Sequence, residues 1–267
     1  MKRNLGPLET QFFAYIQIRK LQTLRTGDLT TSVLRMHPEQ ERKLLSRLAS
    51  GGLITRVRRG LYLLPPRLPL GGAWTPNEAE ALNAMVVAAG GRYQVCGASA
   101  FNRCGFDGQI PDRLYAYNNL FSGHRKIGAV DVTFIKVADK RLGETQTAAT
   151  DGGDKIVYSS RVRSLVDAVY DWSRFDGIPR GYQWIRTELK AKRISAAELV
   201  RCTLRYGDTG TIRRIGALLE QEGVNAALLR KLERALKPAS SCIPWIPSLP
   251  KRGKSSRRWG VVFNQHA

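Results

Sequence analysis

The stretch that decides the fold is residues 38–62, PEQERKLLSRLASGGLITRVRRGLY. Its first half predicts a helix over residues 38–50, because proline suits a first helical turn and Leu44, Leu45 and Leu48 recur at helical spacing. A Gly51-Gly52 pair follows. Such a pair commonly ends a helix and allows the next apolar residue, Leu53, to fold back on the last turn.

The second half of the stretch predicts a β-hairpin. Two strand-like segments, 53–57 and 61–64, flank a tight basic turn at residues 58–60. Pro65-Pro66 then stops the return strand, because proline cannot donate a hydrogen bond to a neighbouring strand.

Two further helices are expected before this stretch. Apolar residues recur at helical spacing over Leu8–Leu24, and a break at residues 25–27 precedes a short second helix that Thr26 can cap. Three helices followed by a two-stranded ribbon predict a winged helix-turn-helix over residues 1–70. In that arrangement the third helix enters the major groove of DNA, and the ribbon, or wing, reaches the backbone or the minor groove.

The polar face of the third helix and the wing carry an excess of cations. Lysine and arginine bind phosphates, and arginine also reads guanine edges through two hydrogen bonds. We therefore predict a DNA-binding face that comprises Arg42, Lys43, Ser46 and Arg47 on the third helix, Arg56, Arg58 and Arg59 on the wing, and Thr30, Thr31 and Arg35 on the second helix. A winged helix used only for protein contacts is the alternative. It is disfavoured because that helix face has three cations and one acid, Glu39.

The charge of the whole chain indicates a polyanionic partner. Its 267 residues include 43 Lys and Arg and 22 Asp and Glu, a net charge of +21 at pH 7. Most of the excess lies at the two ends: residues 1–70 have 13 basic and 4 acidic side chains, and residues 230–267 have 9 and 1. The 43% of hydrophobic residues is enough for a core and argues against a wholly disordered chain.

Several kinds of protein and site are not expected. The basic N-terminus is not followed by an apolar segment, and no run approaches the roughly 18 apolar residues of a spanning helix, so we expect no secretory signal and no membrane partner. The four cysteines form no CxxC pair and the three histidines are scattered, which predicts a cytoplasmic protein with reduced thiols and no metal site. The chain has no GxxxxGK[ST] loop for phosphates, and we expect no cofactor.

A Pro- and Gly-rich joint at residues 67–72 predicts a boundary between an N-terminal domain, 1–70, and a larger domain, 71–267. Thr75-Pro76-Asn77-Glu78 predicts a helix start, and Ser195–Glu198 a capping box. Strands are expected at 93–95, 113–117, 130–135 and 156–158, and helices at 98–104, 161–172, 181–192, from 195, at 211–222 and at 225–236. Strands followed by helices predict an α+β fold class.

The order of these segments resembles that of the AbiEi antitoxins of bacterial abortive-infection toxin–antitoxin systems. The likeness spans nearly the whole chain and rests on GLITRVRRGLY at 52–62, YQVCGASA at 93–100, RSLVD at 163–167, IRRIGALLE at 212–220, LKP at 236–238 and WGVV at 259–262. In that family the first piece corresponds to the wing, and the second to a strand that turns into a helix over small residues.

The resemblance implies a DNA-binding antitoxin and transcriptional autorepressor. Its N-terminal winged helix would bind an inverted-repeat operator, and its C-terminal domain would counter a nucleotidyltransferase-like toxin. The resemblance assigns no toxin-binding residues. A DNA-binding regulator without a toxin partner is the alternative.

A second cluster of cations lies near the C-terminus, where residues 251–258 read KRGKSSRR. We predict a candidate secondary nucleic-acid surface here, formed by Lys251, Arg252, Lys254, Arg257 and Arg258. It could widen a DNA footprint through phosphate contacts, bind RNA or contact an acidic toxin surface. The alternative is a solvated, mobile loop.

A restriction-type nuclease is the main enzymatic alternative. Such sites use a Pro-Asp and a Glu-x-Lys on a following strand to bind Mg²⁺, and Pro111-Asp112 and Glu188-Leu189-Lys190 match these letters. The second match falls in a predicted helix, which gives the wrong geometry. Asp167 and Asp171, four residues apart, are expected on a solvated helix face. We therefore predict no catalytic residues and no enzymatic activity.

Overall fold

The fold class is α+β, as predicted. The structure is a computed structural model that describes residues 5–69, 73–150, 152–237 and 241–264. The chain folds into two compact units. The first comprises Met1–Tyr93, Asp112–Leu142 and Thr147–Ile156, and the second comprises Gln94–Pro111, Gly143–Gln146 and Val157–Ala267. The predicted boundary after residue 70 therefore does not coincide with a division between units. Residues 70–72 of the predicted joint lie outside the described residues.

The first unit begins with a winged helix. Its elements are α1 Pro7–Ile18, β1 Thr23–Arg25, α2 Asp28–Thr31, α3 Pro38–Ser50, β2 Thr55–Arg58 and β3 Leu61–Leu63. The strands form an antiparallel sheet in the order β1-β3-β2. One apolar core joins helices and sheet, and its fully buried members include Phe12, Ile16, Leu24, Leu29, Leu44, Leu45 and Leu48.

The predicted first helix, Leu8–Leu24, is too long. α1 ends at Ile18, Lys20 takes a positive φ of 52°, and Leu24 lies in β1, where it pairs with Tyr62 of β3. Leu21 and Leu24 continue the apolar spacing of α1, so periodicity alone could not reveal that Leu24 is buried by a strand. Thr26 does not cap α2; the N-cap is Gly27, whose φ of 105° favours glycine.

α3 has the predicted bounds. At its start the His37 ring accepts a hydrogen bond from the Glu39 N–H. At its end Gly52 takes a φ of 71°, and the Leu53 N–H donates to the Leu48 carbonyl at 2.9 Å. Leu53 is buried, so it folds back on the last turn as the glycine pair predicts.

A six-stranded sheet follows in the chain. Its strands are β4 Tyr93–Val95, β5 Leu114–Asn118, β6 Gly123–Ile127, β7 Val130–Lys136, β8 Thr145–Ala149 and β9 Lys155–Ser159, in the order β6-β7-β5-β4-β9-β8. β7 is parallel to β5 and antiparallel to β6. The sequence did not predict β6 and β8, because Ile127 is the one buried residue of β6 and β8 has none, which leaves no alternating apolar pattern.

Helix α4, Glu78–Met85, starts later than predicted. Its N-cap is Asn77, which forms a capping box with Glu80. The Thr75 hydroxyl instead accepts a hydrogen bond from the Ala129 N–H at 2.8 Å. Residues 152–154 lead into β9, and Asp151 lies outside the described residues.

The second unit is mainly helical. It contains α5 Gly97–Arg103, α6 Arg161–Tyr170, α7 Trp172–Phe175, α8 Arg180–Lys190, α9 Ala196–Tyr206, α10 Thr209–Gln221 and α11 Ala226–Arg234. A small sheet of β10 Ile243–Pro244, β11 Lys254–Ser256 and β12 Val261–Phe263 has the order β10-β12-β11. The capping box of Ser195 and Glu198 is present as predicted. α10 begins two residues earlier than expected, because Asp208 caps it through the Thr211 N–H.

Asp167 does not lie on a solvated helix face. Its carboxylate accepts a hydrogen bond from Arg163 Nε at 2.9 Å, and both side chains are fully buried. The Arg163 guanidinium also lies over the Tyr206 ring and donates to the Gly143 carbonyl. The predicted pair of solvated carboxylates is therefore wrong: Asp167 belongs to a buried polar network, while Asp171 binds Arg174.

No helix in the described parts of the chain combines the length and the apolar character needed to cross a membrane. The four cysteines, all of them within the described residues, form no disulfide.

Candidate nucleic-acid interface

One face of α3 presents charged and polar side chains to solvent. Glu39, Arg42, Lys43, Ser46 and Arg47 are exposed and line one open groove. Their spacing of three, four, seven and eight residues places them on one side of a helix with 3.6 residues per turn, while the opposite side buries the leucines. The structure thus brings together the four α3 residues that the sequence predicts.

The three cations of this face differ in how firmly they are held. Arg47 Nε donates to the carboxylate of Glu9 at 3.0 Å, although the Arg47 side chain is 62% exposed. Arg42 Nε reaches the Pro38 carbonyl at 3.4 Å, and the Lys43 amino group makes no hydrogen bond or ion pair within the described residues. Arg47 is therefore oriented at one edge, and its two terminal nitrogens have no hydrogen bond to the described residues.

Beneath this face lies an acid that was not predicted from the sequence. Glu41 is fully buried, and its carboxylate accepts hydrogen bonds from the Gly27 and Leu29 N–H groups at 2.9 and 3.3 Å. The first N–H groups of a helix lack partners within the helix, and a carboxylate there is favourable. Glu41 of α3 thus holds the start of α2. Glu41 lies three residues before Leu44. This helical spacing is the sequence signal that places Glu41 on the buried face of α3.

Glu41 also changes the role of Thr30. The Thr30 hydroxyl donates to Glu41 Oε2 at 2.8 Å, and the side chain is half-buried. The prediction of a phosphate contact from Thr30 is therefore corrected, because its hydroxyl proton is used inside the protein. Thr31 is exposed and bonds weakly to backbone carbonyls of its own helix, and Arg35 is exposed with a φ of 43°.

The wing displays three cations. In β2 the exposed Arg56 and Arg58 alternate with the buried Thr55 and Val57, and Arg59 stands in the turn. The Gly60 carbonyl accepts a hydrogen bond from the Thr26 N–H at 3.0 Å, which attaches the turn to the rest of the winged helix. None of the three arginines makes a side-chain hydrogen bond or ion pair within the described residues. The fold therefore fixes the wing and leaves its charges available to an anion.

The C-terminal cluster divides into two parts. Lys251, Arg252, Lys254 and Arg257 are exposed. Arg258 instead binds Glu220 at 2.7 Å and Glu233 at 2.9 Å, and these hydrogen bonds raise its pKa above the usual value. The inclusion of Arg258 in the predicted nucleic-acid surface is corrected, because two carboxylates already neutralise it.

The segment of this cluster is folded. Lys254 begins β11, and the buried Asn264 side chain donates to the carbonyls of Leu249 and Pro250. Residues 254–256 of the cluster therefore form a strand and not a loop.

The residues that match the nuclease pattern do not have the geometry of a nuclease site. Glu188 lies in α8 and not on a strand, and its carboxylate accepts hydrogen bonds from Arg161 at 2.8 Å and Arg193 at 2.7 Å. Burial alone would raise the pKa of Glu188, but both arginines outweigh it and hold that pKa below its usual value. Within the described residues, no group of three or more His, Cys, Asp and Glu side chains is placed to hold a metal ion.

Comparisons with known proteins concern the fold. The model of a family described as a family of unknown function (DUF6088) matches residues 28–150, which is less than half of the chain. The crystal structure of the RV2827C protein from Mycobacterium tuberculosis is similar, with 15% sequence identity, a TM-score of 0.59 and coverage of 97% of this chain and 92% of that chain. At this identity the likeness extends to the fold alone. No curated protein sequence matches the chain.

Proposed function

We propose that the chain binds duplex DNA through α3 and the wing. The observation that carries this proposal is the winged helix whose α3 face and wing together expose Arg42, Lys43, Arg47, Arg56, Arg58 and Arg59. In such folds these two elements contact DNA. Exposed cations on both of them favour a grooved polyanion as the binding partner over a neutral protein surface.

The two elements have different tasks in this proposal. α3 enters the major groove, where Arg47 can present its terminal nitrogens to a guanine edge while Glu9 holds its Nε. The wing arginines have no side-chain partner among the described residues and bind phosphates, which fixes position and carries no sequence information.

A salt titration of duplex binding tests the proposal. The variant R56Q/R58Q/R59Q removes three cations, and we expect the slope of log affinity against log salt to become about three units shallower. The control K190Q/K192Q/R205Q removes three exposed cations of the second unit and leaves the winged helix intact. If the wing variant and the control change the slope equally, the winged helix is not the DNA-binding element.

We further propose a regulatory role in the cytoplasm, supported by the resemblance to the AbiEi antitoxins. In this proposal the DNA is an inverted-repeat operator, the chain represses its own operon, and it counters a nucleotidyltransferase-like toxin encoded beside it. Co-expression with the neighbouring gene tests the antitoxin role: growth should stop with that gene alone and recover with both. A neighbouring gene whose product does not arrest growth would leave a DNA-binding regulator.

A further inference from the structure

The hairpin of β6 and β7 lies beside the wing within the first unit. β2 and β6 approach within 8 Å between Cα atoms. A Cβ on Gly128, in the hairpin turn, would lie 2.6 Å from Thr75 Oγ1 and 3.4 Å from Thr55 Cγ2. Since Thr55 is the first residue of β2, the turn of this hairpin is packed against the base of the wing.

The β6 strand of this hairpin is basic. His124, Arg125 and Lys126 of β6 are consecutive and exposed, and β6 is an edge strand of its sheet. The Lys126 amino group makes no hydrogen bond or ion pair within the described residues, and Arg125 Nη1 donates to the His124 carbonyl at 2.7 Å. The acid of this surface is Asp131, which lies opposite Lys126 and bonds to His124 Nε2 at 2.5 Å.

We infer that β6 is a second phosphate-binding element that extends the wing along the DNA backbone. This inference rests on the proposed DNA binding by the winged helix. β6 approaches the strand that carries Arg56 and Arg58, which places Lys126, and Arg125 on the opposite face of the same edge strand, beside the cations of the wing. The ligand is the phosphate backbone of a duplex.

The composition of the surface favours duplex over single-stranded nucleic acid. Proteins that bind single strands stack bases on aromatic side chains. The wing and β6, residues 55–63 and 123–127, are fully described and expose no Phe, Tyr or Trp, since Tyr62 is buried. Cations without aromatic platforms suit contacts to phosphates.

Three variants test this inference on a duplex of random sequence. R125Q/K126Q should weaken binding and make the salt slope about two units shallower. Asp131→Asn should strengthen binding, because it removes the acid that repels phosphates; damage to the fold would not produce a gain. The control K140Q/K155Q removes two exposed lysines of the same unit. Thermal unfolding checks that each variant is folded.

The outcomes separate this inference from the proposed function. If R56Q/R58Q/R59Q lowers the slope while R125Q/K126Q behaves like the control, only the role of β6 is overturned. If R56Q/R58Q/R59Q itself behaves like its control, the DNA-binding proposal fails. Weaker binding by Asp131→Asn would also overturn the role of β6.

Discussion

At the scale of single residues, the winged helix depends on an acid inside a basic surface. Glu41 satisfies the Gly27 and Leu29 N–H groups and the Thr30 hydroxyl, so it joins the two helices that form the helix-turn-helix. On the outer face of α3, Glu9 orients Arg47. The residue that joins α2 to α3 beneath the proposed DNA-binding face is therefore buried.

Replacing Glu41 should destabilise the protein. Glu41→Ala leaves two N–H groups and a hydroxyl without partners, at a cost of roughly 1–3 kcal/mol for each buried group that stays unsatisfied. Glu39→Ala removes an exposed carboxylate from the same helix and should change stability by less than about 0.5 kcal/mol. Urea unfolding of both variants measures the difference, and equal midpoints would show that Glu41 does not hold α2.

Replacing Arg47 and replacing Arg58 should have different effects on DNA binding. Arg47→Ala should relax base preference at one position, at a cost of about 1–3 kcal/mol on the preferred duplex. Arg58→Ala should weaken binding to every sequence alike and reduce the salt slope by about one unit. Titrations with a selected duplex and a random duplex compare them; a loss from Arg47→Ala that is equal on both duplexes would remove the base-reading role.

Glu188 should have no part in cleavage of DNA. Two arginines hold its carboxylate in a helix, so we expect no cutting of plasmid by the purified protein with Mg²⁺. Clean cutting that disappears in Glu188→Ala would contradict this assignment and favour the nuclease alternative.

At the scale of elements, the sequence predicted those whose signals are local. The bounds of α3 follow from a proline, a leucine repeat and a glycine pair. The capping box of Ser195 and Glu198 follows from the identity of those two residues and their spacing. β1 was not predicted, because Leu24 continues the apolar spacing of α1, although it is buried by the pairing of β1 with β3. β6 and β8 were not predicted, because these polar edge strands have no alternating apolar pattern in the sequence.

Close packing in α10 gives a prediction at this scale. A Cβ on Gly216 would lie 2.2 Å from Cζ3 of the buried Trp259 ring, so Gly216→Ala should destabilise the protein by about 1–3 kcal/mol. Gly210→Ala on the same helix meets no atom closer than 3.3 Å and should be neutral or stabilising by up to about 1 kcal/mol. Thermal unfolding distinguishes them, and a stable Gly216→Ala variant would show that α10 can move away from Trp259.

At the scale of the whole molecule, the sequence predicts how much positive charge there is but not where it is available. Arg163 and Arg258 count toward the net charge of +21, yet carboxylates of the protein neutralise both. In the part of the chain that the structure describes, the wing arginines have no such partner. The predicted α3 residues share one face because a short local motif places them there, whereas the pairing of Arg258 with Glu220 depends on contacts 38 residues apart.

The most direct measurement of the central claim is the salt dependence of duplex binding by a variant that lacks all six exposed cations of α3 and the wing. The variant is R42Q/K43Q/R47Q/R56Q/R58Q/R59Q, and its fold is checked by thermal unfolding. If these residues contact the phosphate backbone and the groove edges, the slope of log affinity against log salt should become about five units shallower than that of the unmodified protein. A folded variant that keeps the original slope and affinity would contradict the claim.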